Sequence, residues 1–186
     1  MNLNQYVRDA TRTESQVEKV NVDPVLLIET LKVFIASGNM LDQIKKNVFY
    51  GKEINVYDTI DYMERINQSL LTLEESPGLF AEDVKVDPRV FHALVGIATE
   101  STELLEALLE SIVDGKELDR LNVLEELGDV NWYQAIGIAA LDGDFKTVLN
   151  TNIEKLRKRF LEKFTNEDAI ERNLEVERNT LESGLT

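Results

Sequence analysis

Apolar residues recur every three or four positions along most of the chain, the spacing that places side chains on one face of an α-helix. This pattern predicts five helices, in the segments 23–49, 56–73, 87–115, 118–143 and 144–164. No segment shows the convincing alternation of apolar and polar residues that is typical of a half-buried strand. The sequence therefore predicts an all-α fold, a helical bundle joined by short turns.

The predicted helix ends carry residues that helix termini prefer. Aspartate followed by proline opens two segments, at 23–24 and at 87–88, where aspartate can cap the helix and proline fits its first turn. Gly115 follows one predicted helix, and Asp144 precedes another as a cap. The longest connection without a helical pattern runs over roughly residues 75–88.

The length of 186 residues is about that of one domain. We predict a single all-α domain over residues 1–165, followed by a highly charged segment, 166–186. Three interpretations of this segment are open: a peripheral helix, an arm onto a partner subunit, or a frayed end.

Residues 41–54 resemble residues 105–118 at an offset of 64 positions, and both contain Gly-Lys-Glu at the same place. One interpretation is an internal repeat, and the alternative is a coincidence between two helix–turn units. In a true repeat, Glu100 and Glu103 would correspond to Ala36 and Asn39. The chain would then hold one acidic pair of this kind.

The charge of the chain limits its partners. The 35 acidic residues exceed the 20 basic ones, for a formal net charge of −15. Polyanions would be repelled, so we expect no nucleic-acid partner and no membrane-surface partner. A small phosphorylated ligand stays compatible with this charge, because divalent cations can bridge acidic side chains and phosphates.

Residue usage excludes several kinds of site. The lack of cysteine excludes disulfides and thiolate-bound zinc, and the single histidine, His92, excludes a histidine-rich metal site. No uninterrupted apolar run reaches the roughly 18 residues of a membrane span, and segment 1–15 lacks the apolar stretch of a signal peptide. We therefore expect a soluble, cytoplasmic protein.

Glu100 and Glu103 stand three residues apart, which places their side chains about 60° apart on a helix. Both lie off the apolar stripe that we predict to face the core, namely Phe91, Leu94, Ala98, Leu105, Leu108 and Ile112. Most glutamates at this spacing are solvated, and a solvated face is the alternative for this pair. Glu106 lies roughly 60° further round the helix and is predicted to be a surface residue.

Glu126 and Asp129 share the narrow polar stripe of the next helix, whose other positions are apolar nearly all round. Such a helix is usually buried, and a buried carboxylate is costly unless it is paired or bound to metal. We therefore predict that both acids are buried and functional. The alternative is a structural ion pair with the nearby cations Lys116 and Arg120.

The turn at residues 114–115 lets the two helices pack antiparallel and bring their acidic pairs face to face. Four carboxylates around one point require a counter-charge, and hard divalent cations suit oxygen ligands. The pattern predicts a site for Mg²⁺, with Mn²⁺ as a substitute, formed by Glu100, Glu103, Glu126 and Asp129. Magnesium held in this way keeps free positions for substrate phosphates.

Asn152, Lys155 and Arg159 are spaced i, i+3 and i+7, which places them on one face of the following helix. A lysine and an arginine near a magnesium site could neutralise the outer charges of a triphosphate. The alternative is a solvated basic patch that complements the helix C-terminus.

Together these residues resemble the all-α nucleoside triphosphate pyrophosphohydrolase superfamily, which includes MazG proteins, dimeric dUTPases and phosphoribosyl-ATP pyrophosphohydrolases. The mark of that family is an ExxE motif, a spacer, an ExxD motif and then a helix with Asn, Lys and Arg near its start. The chain has "ESTE" at 100–103, "ELGD" at 126–129 and "NIEKLRKR" at 152–159, in the same order. The match covers roughly residues 90–165.

The resemblance implies a Mg²⁺-dependent hydrolase that cleaves a nucleoside triphosphate between its α- and β-phosphates, releasing a nucleoside monophosphate and pyrophosphate. It makes residues 1–165 a catalytic domain and implies a homo-oligomer, with a dimer favoured. It also implies roles for seven residues: Glu100, Glu103, Glu126 and Asp129 as metal ligands, with Glu103 and Glu126 catalytic, and Asn152, Lys155 and Arg159 as substrate-binding residues.

Other interpretations stay open. A catalytically inactive helical-bundle interaction protein of the same fold would bind no structured magnesium and hydrolyse nothing. A ferritin-like di-iron bundle fits less well, because it needs Glu-x-x-His pairs and His92 has no acidic residue three positions before it. Trp132 and Tyr133 could stack on a base or belong to the core. The substrate is open among dUTP, another standard or damaged nucleotide, and phosphoribosyl-ATP.

Overall fold

The computed structural model describes residues 2–76, 80–160 and 163–185, and these residues are mostly helical. In chain order the elements are α1 Leu3–Arg12, β1 Val20–Val22, α2 Pro24–Tyr50, α3 Val56–Glu74, β2 Glu82–Val84, α4 Pro88–Asp114, α5 Arg120–Ala140, α6 Phe145–Arg159, α7 Asn166–Ile170 and α8 Leu174–Leu185. The predicted all-α class is confirmed. The charged segment 166–186 contains α7 and α8, and residues 161–162 of the predicted fifth helix lie outside the described residues.

Three elements, β1, β2 and α1, were not predicted from the sequence pattern. Strands β1 and β2 pair in a two-stranded sheet, although each has three residues, too few for an alternating pattern to be recognised. Helix α1 forms near the N-terminus, where the Asn2 side chain accepts a hydrogen bond from the backbone N–H of Gln5 at 2.8 Å. Its buried residue is Ala10.

Several predicted helix ends are confirmed, whereas α5 ends at Ala140 instead of near residue 143 and α6 ends at Arg159 instead of residue 164. Asp23 caps α2 by accepting from the backbone N–H of Leu26, and Asp87 caps α4. Gly115 ends α4 in the left-handed conformation, with φ of 64°, which glycine adopts at no steric cost. Asp144 accepts from the backbone N–H of Thr147 at 2.8 Å, as expected of a cap for α6.

The helical hairpins α2–α3 and α4–α5 have the same local structure at an offset of 64 residues. Helices α2 and α4 each have 27 residues, begin with an Asp cap and proline, and end at a left-handed glycine. After that glycine, the Asn47 side chain donates to the Lys52 carbonyl at 3.0 Å. At the matching positions, the Ser111 hydroxyl donates to the Lys116 carbonyl at 2.8 Å. The two turns therefore use one hydrogen-bond pattern.

The chain divides into two compact units. The first unit comprises Met1–Val20, Lys85–Leu156 and Val176–Thr186, and the second comprises Asn21–Val84 and Arg157–Glu175. The first unit has a small core, in which Tyr6, Val7, Trp132 and Ile138 pack against the buried residues Ala10, Ala135 and Phe145. We predicted a single domain over residues 1–165 and a separate charged segment after it. Whether residues 1–165 fold without that segment stays a prediction.

The apolar stripe of α4 was predicted to face the core, and this prediction is wrong. Ala93 and Gly96 are the buried residues of α4. The stripe is largely exposed, with exposed fractions of 62% for Leu94, 42% for Leu105, 47% for Leu108 and 71% for Ile112. Periodicity identifies a shared face, but the close approach of α5 is permitted by small residues, and these lie on another side of α4.

Helix α5 is also less buried than its composition predicts. Leu121 is 78% exposed and Leu124 is 62% exposed, whereas Ala135 and Ile136 are fully buried. The N-terminal half of α5 therefore presents apolar side chains to solvent, and its C-terminal half enters the core of the first unit. The prediction that this helix is buried all round is wrong.

Helix α2 is long and apolar enough to cross a membrane when length and composition alone are considered. Core helices of soluble proteins, which are mostly buried, and signal sequences share this length and composition, whereas 11% of the apolar 18-residue window of α2 is buried. The expected cytoplasmic location and the absence of a membrane partner stay predictions.

Candidate metal centre

Close packing of α4 against α5 sets the frame of the site. A Cβ atom added at Gly96 would lie 2.1 Å from Cε1 of Tyr133, far inside van der Waals contact. One helical turn away, a Cβ added at Gly137 would lie 3.0 Å from the Cβ of Ala93. Glycine at these positions lets the backbones of α4 and α5 approach each other closely. Glu100 and Glu103 lie on the side of α4 that carries Gly96, so they face α5 as well.

Three of the four predicted metal ligands come together. Glu100 and Glu103 of α4 and Glu126 of α5 each offer a carboxylate oxygen, and these three oxygens lie within 4.8 Å of one another. Glu126 is buried, Glu100 is half-buried and Glu103 is exposed. We call this cluster the glutamate triad. Its buried member is Glu126, and it is open to solvent at Glu103.

The three carboxylates of the triad repel one another, and this repulsion affects the pKa of Glu126. Burial and then the charge of Glu103 raise the pKa of Glu126, with further contributions from a hydrogen bond with Glu100 and from the charges of Glu100 and Asp129. Glu126 thus holds a proton more tightly than an isolated carboxyl group would, and a divalent cation would offset the same negative charge.

The alternative of a structural ion pair is not seen at Glu126. Lys116 pairs instead with Asp114, at 2.9 Å, and lies 3.9 Å from Glu110. Arg120 is exposed, and in the described part of the chain no ion pair joins it to Glu126. Oxygen ligands without a neighbouring side-chain cation are the donor set that Mg²⁺ and Mn²⁺ accept.

Asp129 lies one turn beyond Glu126 and outside the 4.8 Å set. It is exposed, so its predicted burial is wrong. Its charge still acts on the region, because it contributes to the raised pKa of Glu126 and of Tyr133. Asp129 is therefore near enough to influence the triad electrostatically without sharing its closest group of oxygens.

An aromatic group of His92, Trp132 and Tyr133 borders the triad, and its arrangement was not predicted from the sequence. The ring centroids of Trp132 and Tyr133 are 4.7 Å apart, and His92 lies 5.4 Å from Tyr133. Burial first, and then the charges of Glu100, Asp129 and Glu103, raise the pKa of Tyr133, so its hydroxyl stays protonated. Tyr133 thus places a hydroxyl under the influence of the acidic residues.

Trp132 is a structural residue by its contacts. Its indole N–H donates to the Thr13 hydroxyl at 3.1 Å, and its ring packs against the core of the first unit.

Gly96 is a site residue that was not predicted from the sequence, although a glycine inside a helical pattern is a recognised sign of close packing.

The basic residues are distributed along α6. Asn152 is exposed and Lys155 is half-buried, and both belong to the first unit. Among the described residues, no hydrogen bond or ion pair joins either of them to the glutamate triad. Arg159 belongs to the second unit, where it lines a pocket together with residues of α2.

Comparison with known proteins finds no matching family model, no matching curated protein and no matching solved structure. Its function is therefore inferred from its own residues and from the order of its motifs.

Proposed function

We propose that this protein is a Mg²⁺-dependent nucleoside triphosphate pyrophosphohydrolase, which cleaves the bond between the α- and β-phosphates. The observation that carries the proposal is the glutamate triad, whose oxygens lie within 4.8 Å of one another around the buried Glu126. The triad comes from the ExxE and ExxD segments that resemble the motifs of that superfamily. A cation would offset the negative charge of this cluster, and it would let an acidic chain approach phosphates.

The residues present fit a hard divalent cation. Glu100, Glu103 and Glu126 would hold it, and Asp129 is the proposed fourth ligand one helical turn away. Three clustered carboxylates with a raised pKa at the buried member match the oxygen-only donor set of magnesium. When bound, the cation would supply positive charge that polarises a phosphate and acidifies a water molecule.

The chain's own groups have distinct proposed tasks. Glu103 is the exposed member of the triad, so it can accept a proton from a water molecule that enters from solvent. That water attacks the α-phosphorus, the bond to the β-phosphate oxygen breaks, and pyrophosphate leaves. The buried Glu126 fixes the position of the site. Asn152, Lys155 and Arg159 are the substrate-binding residues that the resemblance implies.

Pyrophosphate release from a panel of nucleotides tests the proposal. The panel contains dUTP, the other deoxynucleoside triphosphates and phosphoribosyl-ATP, each with and without Mg²⁺. Glu126→Gln is expected to lower release by roughly 100-fold or more, because even residues behind metal ligands contribute 10–100-fold. Glu125→Gln is the matched control, since Glu125 is the exposed neighbour of Glu126 on the same helix. Equal activity in the two variants would contradict the proposal.

A catalytically inactive interaction protein is the second candidate. The observation that favours it is the exposed apolar surface of α4 and α5, where Ile112 is 71% and Leu121 is 78% exposed. This candidate predicts no pyrophosphate release from any nucleotide. Calorimetric titration with Mg²⁺ then separates the candidates, because an intact site binds the cation in wild type and not in Glu126→Gln.

The same apolar surface supports the proposed homo-oligomer, with a dimer favoured. Contiguous apolar patches on a soluble protein mark interaction sites, and a second copy would bury them. Light scattering coupled to size-exclusion chromatography measures the mass directly. A dimer that dissociates in Ile112→Lys, while the helical circular dichroism signal is kept, is the expected result.

A further inference from the structure

The α2–α3 hairpin contains a pocket of about 460 Å³ that the proposed catalytic function does not use. All of its lining residues belong to α2 or α3, so it lies inside one hairpin of the second unit, and we call it the hairpin pocket. Three of the lining residues are buried, namely Glu29, Ala36 and Ser69. The volume is within the range of small-molecule sites, about 300–1,000 Å³.

The hairpin pocket lies where the matched α4–α5 hairpin holds an aromatic ring. In that hairpin the Tyr133 ring lies directly against Gly96 and fills the space between the two helices. At the offset of 64 residues, the same two positions are Ser69 and Lys32, and both of these residues line the pocket. Because serine has no ring, the space that a phenol ring fills in one hairpin is left open in the other. A planar ring supplied by a ligand would fit this space.

An ionised carboxylate lies at the inner end of the hairpin pocket. The Glu29 side chain is only 10% exposed. The Lys32 ammonium group donates to it at 2.7 Å, the Ser69 hydroxyl also donates to it, and these hydrogen bonds lower the pKa of Glu29. An ionised carboxylate can accept about four hydrogen bonds, so Glu29 has room for a further donor from a ligand.

The cations of the lining already have carboxylate partners. Lys32 pairs with Glu29. The other cation, Arg65, pairs with Asp61 at 2.7 Å. The pocket therefore has no surplus positive charge, and it favours a neutral ring over a phosphate group.

The outer part of the hairpin pocket carries neutral hydrogen-bonding groups. Asn39 and Gln68 are exposed, and Tyr62 is half-buried. In the described part of the chain, the side chains of these three residues make no hydrogen bond or ion pair with the protein. Side-chain amides both donate and accept, which suits the edge of a nucleobase, and an aromatic side chain can stack on its face.

We propose that the hairpin pocket binds a nucleobase, whose ring occupies the space left by Ser69 and whose exocyclic amino group donates to Glu29. Adenine, cytosine and guanine carry such an amino group, whereas uracil and thymine carry carbonyl oxygens instead. The pocket therefore selects bases with an amino group. The proposal does not depend on the catalytic activity proposed above, because no residue of the hairpin pocket belongs to the proposed catalytic site.

Isothermal titration calorimetry on the full chain tests the proposal, in buffer with a chelator so that no divalent cation contributes. The first arm compares cytidine with uridine, which carries a carbonyl oxygen in place of the amino group. We expect saturable binding of cytidine and an affinity for uridine that is lower by roughly tenfold or more, because hydrogen bonds to charged groups are the strong ones. The second arm titrates cytidine 5′-monophosphate, whose affinity should not exceed that of cytidine, because the lining has no surplus cation.

Variants of the pocket residues assign the binding to this site. Glu29→Gln keeps the size of the side chain and removes its charge, so it should weaken cytidine binding by roughly tenfold. Glu64→Gln is the matched control, since Glu64 is an exposed carboxylate of α3 outside the pocket, and its affinity should stay within about twofold of wild type. Ser69→Tyr places a ring in the open space and should abolish binding, with circular dichroism as the check on folding. If Ser69→Tyr does not fold, the comparison of Glu29→Gln with Glu64→Gln decides alone.

Several results would overturn the proposal. These are a lack of cytidine binding to folded wild type, equal affinity for cytidine and uridine, and equal weakening by Glu29→Gln and Glu64→Gln. Much tighter binding of the monophosphate than of cytidine would also overturn it, because the phosphate would then be the group that is recognised. Glu126→Gln should bind cytidine as wild type does, so failure of the catalytic proposal is distinguishable from failure of this one.

Discussion

Replacing Gly96 by alanine tests whether close contact between α4 and α5 shapes the candidate metal centre. The added Cβ would lie 2.1 Å from Cε1, 2.2 Å from Cδ1 and 2.5 Å from Cζ of Tyr133. Ordinary carbon contacts begin near roughly 3.5 Å, so ring and helix must separate by about 1.4 Å. The Tyr133 ring cannot swing aside freely, because Trp132 and His92 pack edge-on against it.

The magnitude follows from two opposed effects. Overpacking of this size costs up to about 3 kcal/mol, whereas alanine in place of glycine inside a helix contributes about 1 kcal/mol of stability. The net expectation is a loss of about 2 kcal/mol for Gly96→Ala. For a chain of this length, that corresponds to a fall in Tm of about 4–8 °C.

Thermal unfolding followed by circular dichroism measures the effect, with Gly38→Ala as the matched control. Gly38 lies inside α2, and a Cβ there would have nothing within 4 Å. The control should gain about 1 kcal/mol, for a rise in Tm of about 2–4 °C. A Gly96→Ala protein as stable as the control would refute the inference that this glycine is required for packing.

Two further predictions concern charge. Folding raises the pKa of the Glu126 carboxyl group above its ordinary value of 4.5. Above that pH the folded protein binds a proton at Glu126 more readily than the unfolded protein does. The free energy of unfolding therefore falls as the pH rises. In chelator, Glu126→Gln should therefore be more stable than wild type near pH 7, by a margin in Tm that shrinks toward pH 5; a margin independent of pH would contradict this expectation. Arg89 donates from Nε at 2.9 Å and from Nη2 at 2.9 Å to Glu14, whose side chain is 1% exposed, so Arg89→Gln should lower stability by about 3 kcal/mol in urea unfolding. Arg89→Lys should recover only part of that loss, because lysine lacks the two-pronged geometry; full recovery would show that charge alone matters.

Local signals in the sequence predicted the fold well where short-range chemistry decides it. The Asp-Pro starts at 23–24 and 87–88 and the glycine at 115 lie at the observed helix ends, because capping depends on neighbouring residues alone. Helix α1 and the two short strands escaped prediction, since their patterns are too brief or depend on pairing between distant segments.

Three of the seven predicted site residues were predictable as a cluster, but their burial was not. The spacing of acids on two successive helices predicted the meeting of Glu100, Glu103 and Glu126, and the structure brings these three together. Burial of Asp129 could not be predicted correctly, because an apolar helix does not reveal which of its sides a neighbour covers. The same uncertainty explains the outward-facing stripe of α4, whose contact side is set by the small residues Ala93 and Gly96.

The matched hairpins offer a route to engineering a second site in the same chain. At the offset of 64 residues, the positions of Glu100, Glu103 and Glu126 fall on Ala36, Asn39 and Tyr62, which line one cavity of about 460 Å³. Carboxylates grafted at 36, 39 and 62 would thus start from a scaffold whose first helix has the length of its counterpart in the donor hairpin and whose turn has the same hydrogen-bond pattern. The α2–α3 hairpin lacks the glutamates of its counterpart, so it is a scaffold into which the same carboxylates can be introduced.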